Sequence, residues 1–192
     1  MTSQASGIYV GHLIGASFGA VFVIRNGGLL GQPGQLVASV LAVLAAVVIL
    51  IGFIATIRRG QRPPAQDLPR SRAAFWVIVV IEAALLFGGL AFLNRVEPAA
   101  NVGWIALVAG VHFLAFTLWW IPGQRELLVI GAVMVPLGII GLVIAVTTHD
   151  AVLVEFVSGF GSGVVLLGAS LATALRVIAA GELRSARNRL GA

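Results

Sequence analysis

Two residues, Glu82 and His112, carry most of the chemistry that this sequence offers. Glu82 is the one charge in the apolar run 73–93, and His112 is the one ionisable group in the run 102–121. The polar connector 94–101 lies between them, with Glu97-Pro98 in its middle. In an antiparallel hairpin, residues equidistant from the turn share a depth, and position 97 is midway between 82 and 112. Glu82 sits nine residues after its run begins and His112 nine before its own run ends. At about 1.5 Å per residue, both fall at ~14 Å, near the midplane of a hydrocarbon layer roughly 30 Å thick. Ionisable groups at that depth are costly, and where they occur they mark ion pathways and proton relays. Burial penalises the charged form of a carboxyl, so the expected pair is a neutral acid donating to a neutral imidazole. Moving that proton creates a carboxylate and an imidazolium, which attract one another. The pair is expected to serve a transporter or channel as a proton relay. The plainer alternative is an interhelical hydrogen bond worth about 0.6–2 kcal/mol.

The other candidates are weaker. His149, Asp150 and Glu155 lie together near one apolar boundary and suggest an acidic rim, an outer entry to the path. Glu155, four residues into its helix, is equally suited to reach interfacial water. His12 lies about one turn into the first apolar run and reads as a packed histidine. With no cysteine, disulfides and thiolate chemistry are excluded. All twelve basic residues are arginine, so lysine Schiff-base chemistry is excluded too. Two ligands at the midplane fall short of the three or four a metal needs. No phosphate loop or HExxH pattern is present. No catalytic residue, metal site or cofactor is therefore expected, and an enzyme ranks below both a transporter and a structural subunit.

These residues must be positioned by membrane helices. Hydrophobic residues make up 59% of the chain and charged ones 10%, against about 25% charged in soluble domains. The reading is an all-α, polytopic membrane protein, a bundle of six transmembrane helices forming one domain over 1–192. The spans are expected at about 8–24, 36–57, 73–93, 102–121, 127–148 and 151–180. The second, uniformly apolar, is expected to face lipid more than any other. Pro136, inside the fifth, predicts a kink whose freed carbonyl is satisfied nearby. In the first, Gly7, Gly11, Gly15 and Gly19 recur every fourth residue, and small residues let helix backbones approach closely. That ladder is expected to pack against another helix, within the bundle, in a homo-oligomer or in a membrane partner.

Charge sets the orientation. Arg58, Arg59, Arg62, Arg70, Arg72, Arg125, Arg184, Arg187 and Arg189 fall in the connectors on one side, and only Arg25 and Arg95 on the other. By the positive-inside rule, both termini are cytoplasmic and the location is the cytoplasmic membrane. The net charge of +5 is thus spent at helix ends, and the expected partner is the lipid bilayer, not nucleic acid. Trp76, Trp119 and Trp120 would then line the inner interface and Trp104 the outer one.

The Glu-bearing third helix followed by Gly110-Val-His-Phe113 resembles a group of small actinobacterial-type, six-helix integral membrane proteins with no assigned activity. The likeness covers roughly residues 70–175. It implies no substrate or cofactor, and adds only that Glu82 and His112 belong together.

Overall fold

A computed structural model describes residues 3–58, 72–120 and 125–190. Nearly all of them are helical, in six helices. These are α1 (Ser3–Asn26), α2 (Gly31–Arg58), α3 (Arg72–Val96), α4 (Asn101–Ala115), α5 (Arg125–Thr148) and α6, which runs over 151–190. A π-helical turn, Phe116–Trp120, extends α4, and another, Glu155–Phe160, interrupts α6 after its first turn. Among the described residues, five stretches are long and apolar enough to cross a membrane: Gly28–Ala55, Trp76–Val96, Pro98–Leu118 (α4 with its flanking turns), Arg125–Thr148 and Ala151–Arg176.

The ends of these helices follow from their local sequence. Past Asn26, a 3-10 turn (Gly28–Leu30) leads to Gly31, whose φ of +68° suits a residue without a Cβ. Pro33 follows in the first turn of α2, where a missing N–H costs nothing. At the end of α1, Asn26 Nδ2 donates to Phe22 O (2.8 Å), and the carbonyl of Ile24, among the last four that have no helical donor, accepts from Gln35 Nε2 (3.1 Å). Pro98 holds Glu97 extended, which separates α3 from α4. At the end of α5, His149 adopts the left-handed conformation (φ 54°) that closes many helices. Asp150 then caps α6 by accepting Leu153 N–H at 3.0 Å.

Two glycine-lined contacts set the packing. The first joins α4 to α5. A Cβ placed on Gly110 would stand 2.7 Å from Val135 N, and one on Gly131 2.7 Å from Gly110 O. Gly103 and Gly138 continue the same seam. The second joins α1 to α6, where Gly19 and Gly163 face each other's backbones, each about 3 Å from a would-be Cβ. On α1 this is one crossing point. At Gly15 an added Cβ would meet Ser170 Oγ at 3.4 Å, an ordinary contact, and the surroundings of Gly7 and Gly11 lie outside the described residues.

Between these seams, Ala16, Ala20 and Val23 of α1 pack with Ala42, Ile49 and Phe53 of α2 and with Leu167 and Ala174 of α6. The expectation that α2 faces lipid most is therefore overturned. Ile49 and Phe53 are fully buried, whereas no residue of α3 between Trp76 and Val96 is. α3 packs chiefly on α4 and the turns flanking it, at the edge of the bundle. Apart from Glu82, both helices are apolar over their middle stretches, and lipid provides no hydrophobic drive that would sort one inward.

Near Pro136, the interhelical bond comes from Ser158, which is fully buried and donates to Leu137 O at 2.7 Å. The carbonyl that a proline frees is four residues back, at Ala132. The acceptor used is instead the one that follows the ring.

Candidate functional site

The α3–α4 hairpin holds three cross-seam polar contacts. Asn101 Nδ2 donates to Asn94 Oδ1 at 2.6 Å. Trp104 lies over Gly89, where a side chain would collide with its indole, and donates from Nε1 to Leu85 O at 3.0 Å. Farther in, His112 Nδ1 meets Glu82 Oε2 in an ion-pair contact. The pairs 94/101 and 82/112 and the packed pair 89/104 straddle Glu97 to within half a residue, while the Trp104 hydrogen bond reaches about one turn farther back along α3, to Leu85. Trp104, expected in an outer aromatic belt, is thus folded into the seam.

The Glu82–His112 contact lies in this edge seam, not at the centre of the bundle. The side chains remain 26% and 21% exposed. Nδ1 of His112 is nevertheless sealed from solvent where it faces Glu82 Oε2. The imidazole is tilted against the Phe116 ring (centroids 4.2 Å apart) and meets Phe113 edge-on at 5.8 Å. Phe116 belongs to the π turn that extends α4. Only Oε2 of Glu82 is engaged. Oε1 makes no hydrogen bond among the described residues. Such a pair has two bases facing one another and can hold no proton, one or two, passing through net charges of −1, 0 and +1.

The outer candidates are placed differently from one another. His149 Nδ1 pairs with Glu97 Oε2, tying the α5–α6 turn to the α3–α4 turn. Asp150 is occupied as the cap of α6. Glu155 is half-buried at the first residue of the π turn. No contact gathers the three into one cluster among the described residues.

A polar group that sequence reasoning missed lies toward the opposite ends of the helices. Glu126, in the first turn of α5, accepts from Thr173 Oγ1 (2.8 Å) and from Arg176 (2.6 Å), both on α6. His12 of α1 approaches the same carboxylate at 3.8 Å and meets Phe53 of α2 edge-on. Thr173 and Arg176 share a helix face at i, i+3, and an acidic residue in a first helical turn is favoured by the dipole. Those were the available signals. The span expected over 127–148 begins one residue past Glu126, which places it outside the helix and hides both signals. Each of the three histidines therefore has a glutamate beside it, at three separate places. Among the described residues no three metal-ligating side chains come together.

Comparison with protein-family models, curated proteins and solved structures finds no match in any of the three.

Proposed function

We propose that the chain is a six-span protein of the cytoplasmic membrane, with both termini inside, that moves an ion or small solute in step with protonation of the Glu82–His112 pair. The observation that carries this reading is the contact itself, a carboxyl and an imidazole meeting across the seam between two apolar helices. Holding both groups there without use is costly. Because α3 packs chiefly on α4, a change in the pair's charge acts directly on how one helix seats against the other. The arginine asymmetry supports the orientation, with α1 taken as a span beside the five apolar helices.

The test is flux in proteoliposomes under an imposed pH gradient, with an internal pH-sensitive dye and a panel of solutes. Glu82→Gln keeps the shape and a hydrogen bond to His112 but removes the titratable acid. Proton-coupled flux is expected in the wild type and absent in a folded Glu82→Gln protein. Equal flux in both removes the proposed centre.

The second reading is a non-transporting membrane subunit, in which Glu82–His112 only holds the hairpin together. It is favoured by the breadth of the uncovered apolar surface on α3, where Trp76, Val80, Phe87 and Phe92 are all exposed. Under it, a partner's transmembrane helix covers α3, and Glu82→Gln leaves function intact.

A further inference from the structure

We propose that the Glu82–His112 seam binds a lipophilic organic cation, admitted sideways from the hydrocarbon layer, in exchange for a proton. This rests on reading Glu82 as a proton-accepting centre. Three features lead to it. Among the described residues the carboxyl keeps one oxygen without a partner while the other is held by His112, so it can receive a second positive group without being rebuilt. The site also has aromatic walls, since Phe116 and Phe113 border the imidazole, and aromatic faces attract cations by their quadrupole, most strongly where water is absent. Finally, the seam opens at the edge of the bundle. Most of the circumference of α3 is uncovered, and Val80, Ile81 and Leu85 around Glu82 are exposed. A ligand using that opening must dissolve in lipid and carry its charge to the carboxyl.

The exchange balances. With one proton, the pair is neutral. A cation entering beside Glu82 releases that proton, leaving a carboxylate that faces the ligand and a neutral His112. One proton leaves per cation bound, and net charge in the seam is conserved. Proton and cation therefore compete for one carboxylate, which couples their movements without a separate path for each.

The experiment uses the full chain purified in mild detergent, with tetraphenylphosphonium as the probe. Equilibrium dialysis measures saturable binding, and a weakly buffered solution with a pH dye measures proton release. The expected result is saturable binding that strengthens as pH rises, with release of one proton per cation. Glu82→Gln should weaken binding by about tenfold to a hundredfold, the loss of a contact to a charged group, and abolish the release. Glu82→Asp, which keeps the carboxylate, should retain both, and Phe116→Ala should weaken binding without abolishing release. Circular dichroism and gel filtration confirm that each variant is folded. Binding that is unsaturable, or equal in wild type and Glu82→Gln, overturns the proposal. If Glu82-dependent flux of some other solute is found while the probe does not bind, the cation site fails and the transport reading stands. If the probe binds and releases a proton but no Glu82-dependent flux occurs, the cation site stands and the transport reading fails.

Discussion

Replacing Gly110 by alanine tests the α4–α5 seam most directly. The new Cβ would stand 2.7 Å from Val135 N, 2.9 Å from Val135 Cγ2 and 3.1 Å from Met134 C. Ordinary contact begins at 3.4 Å, so the helices must part by about 0.7 Å at that point. A radial gap of about 0.5–1 Å forfeits a quarter to a half of each van der Waals well, at about 0.1–0.2 kcal/mol per atom pair. Over roughly 30 pairs along the seam, the loss is about 1–3 kcal/mol, in line with overpacked cores. Alanine is the better helix former by roughly 0.8–1 kcal/mol, which offsets part of it. Gly88→Ala on α3 supplies the control, because its Cβ would meet nothing within 4 Å. The propensity gain is common to both, so the difference between the variants isolates the packing term. Reversible unfolding in mixed micelles of dodecylmaltoside and dodecyl sulfate, followed by circular dichroism, should place Gly110→Ala about 1–3 kcal/mol below Gly88→Ala. Equal stabilities within about 0.5 kcal/mol would refute the close seam.

Other expectations follow from single contacts. Ser158→Ala removes the buried bond to Leu137 O and should cost about 0.5–1.5 kcal/mol in the same assay. Since His149 already has φ 54°, His149→Gly relieves the backbone but removes the contact with Glu97 and should stay within about 1 kcal/mol of wild type, whereas β-branched His149→Val loses the contact and adds strain and should destabilise by about 1–2 kcal/mol. Glu126→Gln weakens a half-exposed contact with Arg176 and should cost no more than about 1 kcal/mol. The native chain has no cysteine, so single substitutions report topology cleanly. In right-side-out vesicles a membrane-impermeant maleimide should label Gly28→Cys and spare Ser71→Cys, and the reverse pattern would invert the proposed orientation.

What could be read beforehand depended on whether covalent connection or tertiary choice decided the feature. The Glu82–His112 contact was legible because a short connector fixes the register of a hairpin, and counting from Glu97 is then enough. The helical content followed from uniform apolarity, for backbone groups in lipid must satisfy one another locally. The closest seam was not legible. Gly7, Gly11, Gly15 and Gly19 display the more regular spacing, yet the tight α4–α5 approach uses Gly103, Gly110, Gly131 and Gly138, spaced by seven. Which small residues meet depends on helix order, and sequence spacing does not set that. The contacts of Trp104 were not legible for a similar reason. An indole near a helix end suits an interfacial belt, but the gap at Gly89 and the carbonyl of Leu85 compete for it. The exchange of roles between α2 and α3 has the same origin, since an apolar side chain is equally at home against lipid or protein.

That α3 packs chiefly on α4 also bears on how the protein is made. Glu82 leaves the ribosome roughly 30 residues ahead of His112, which at about 5–20 residues per second is a wait of ~2–6 s. During that interval the nascent α3 carries a carboxyl whose eventual partner has not been synthesised. Its entry into the bilayer is therefore provisional until α4 emerges, and the two helices are best regarded as one unit of insertion. A chain carrying His112→Leu never completes that unit. Its first defect should be rapid clearance of the newly made polypeptide by membrane quality control, ahead of any change in what the mature protein does.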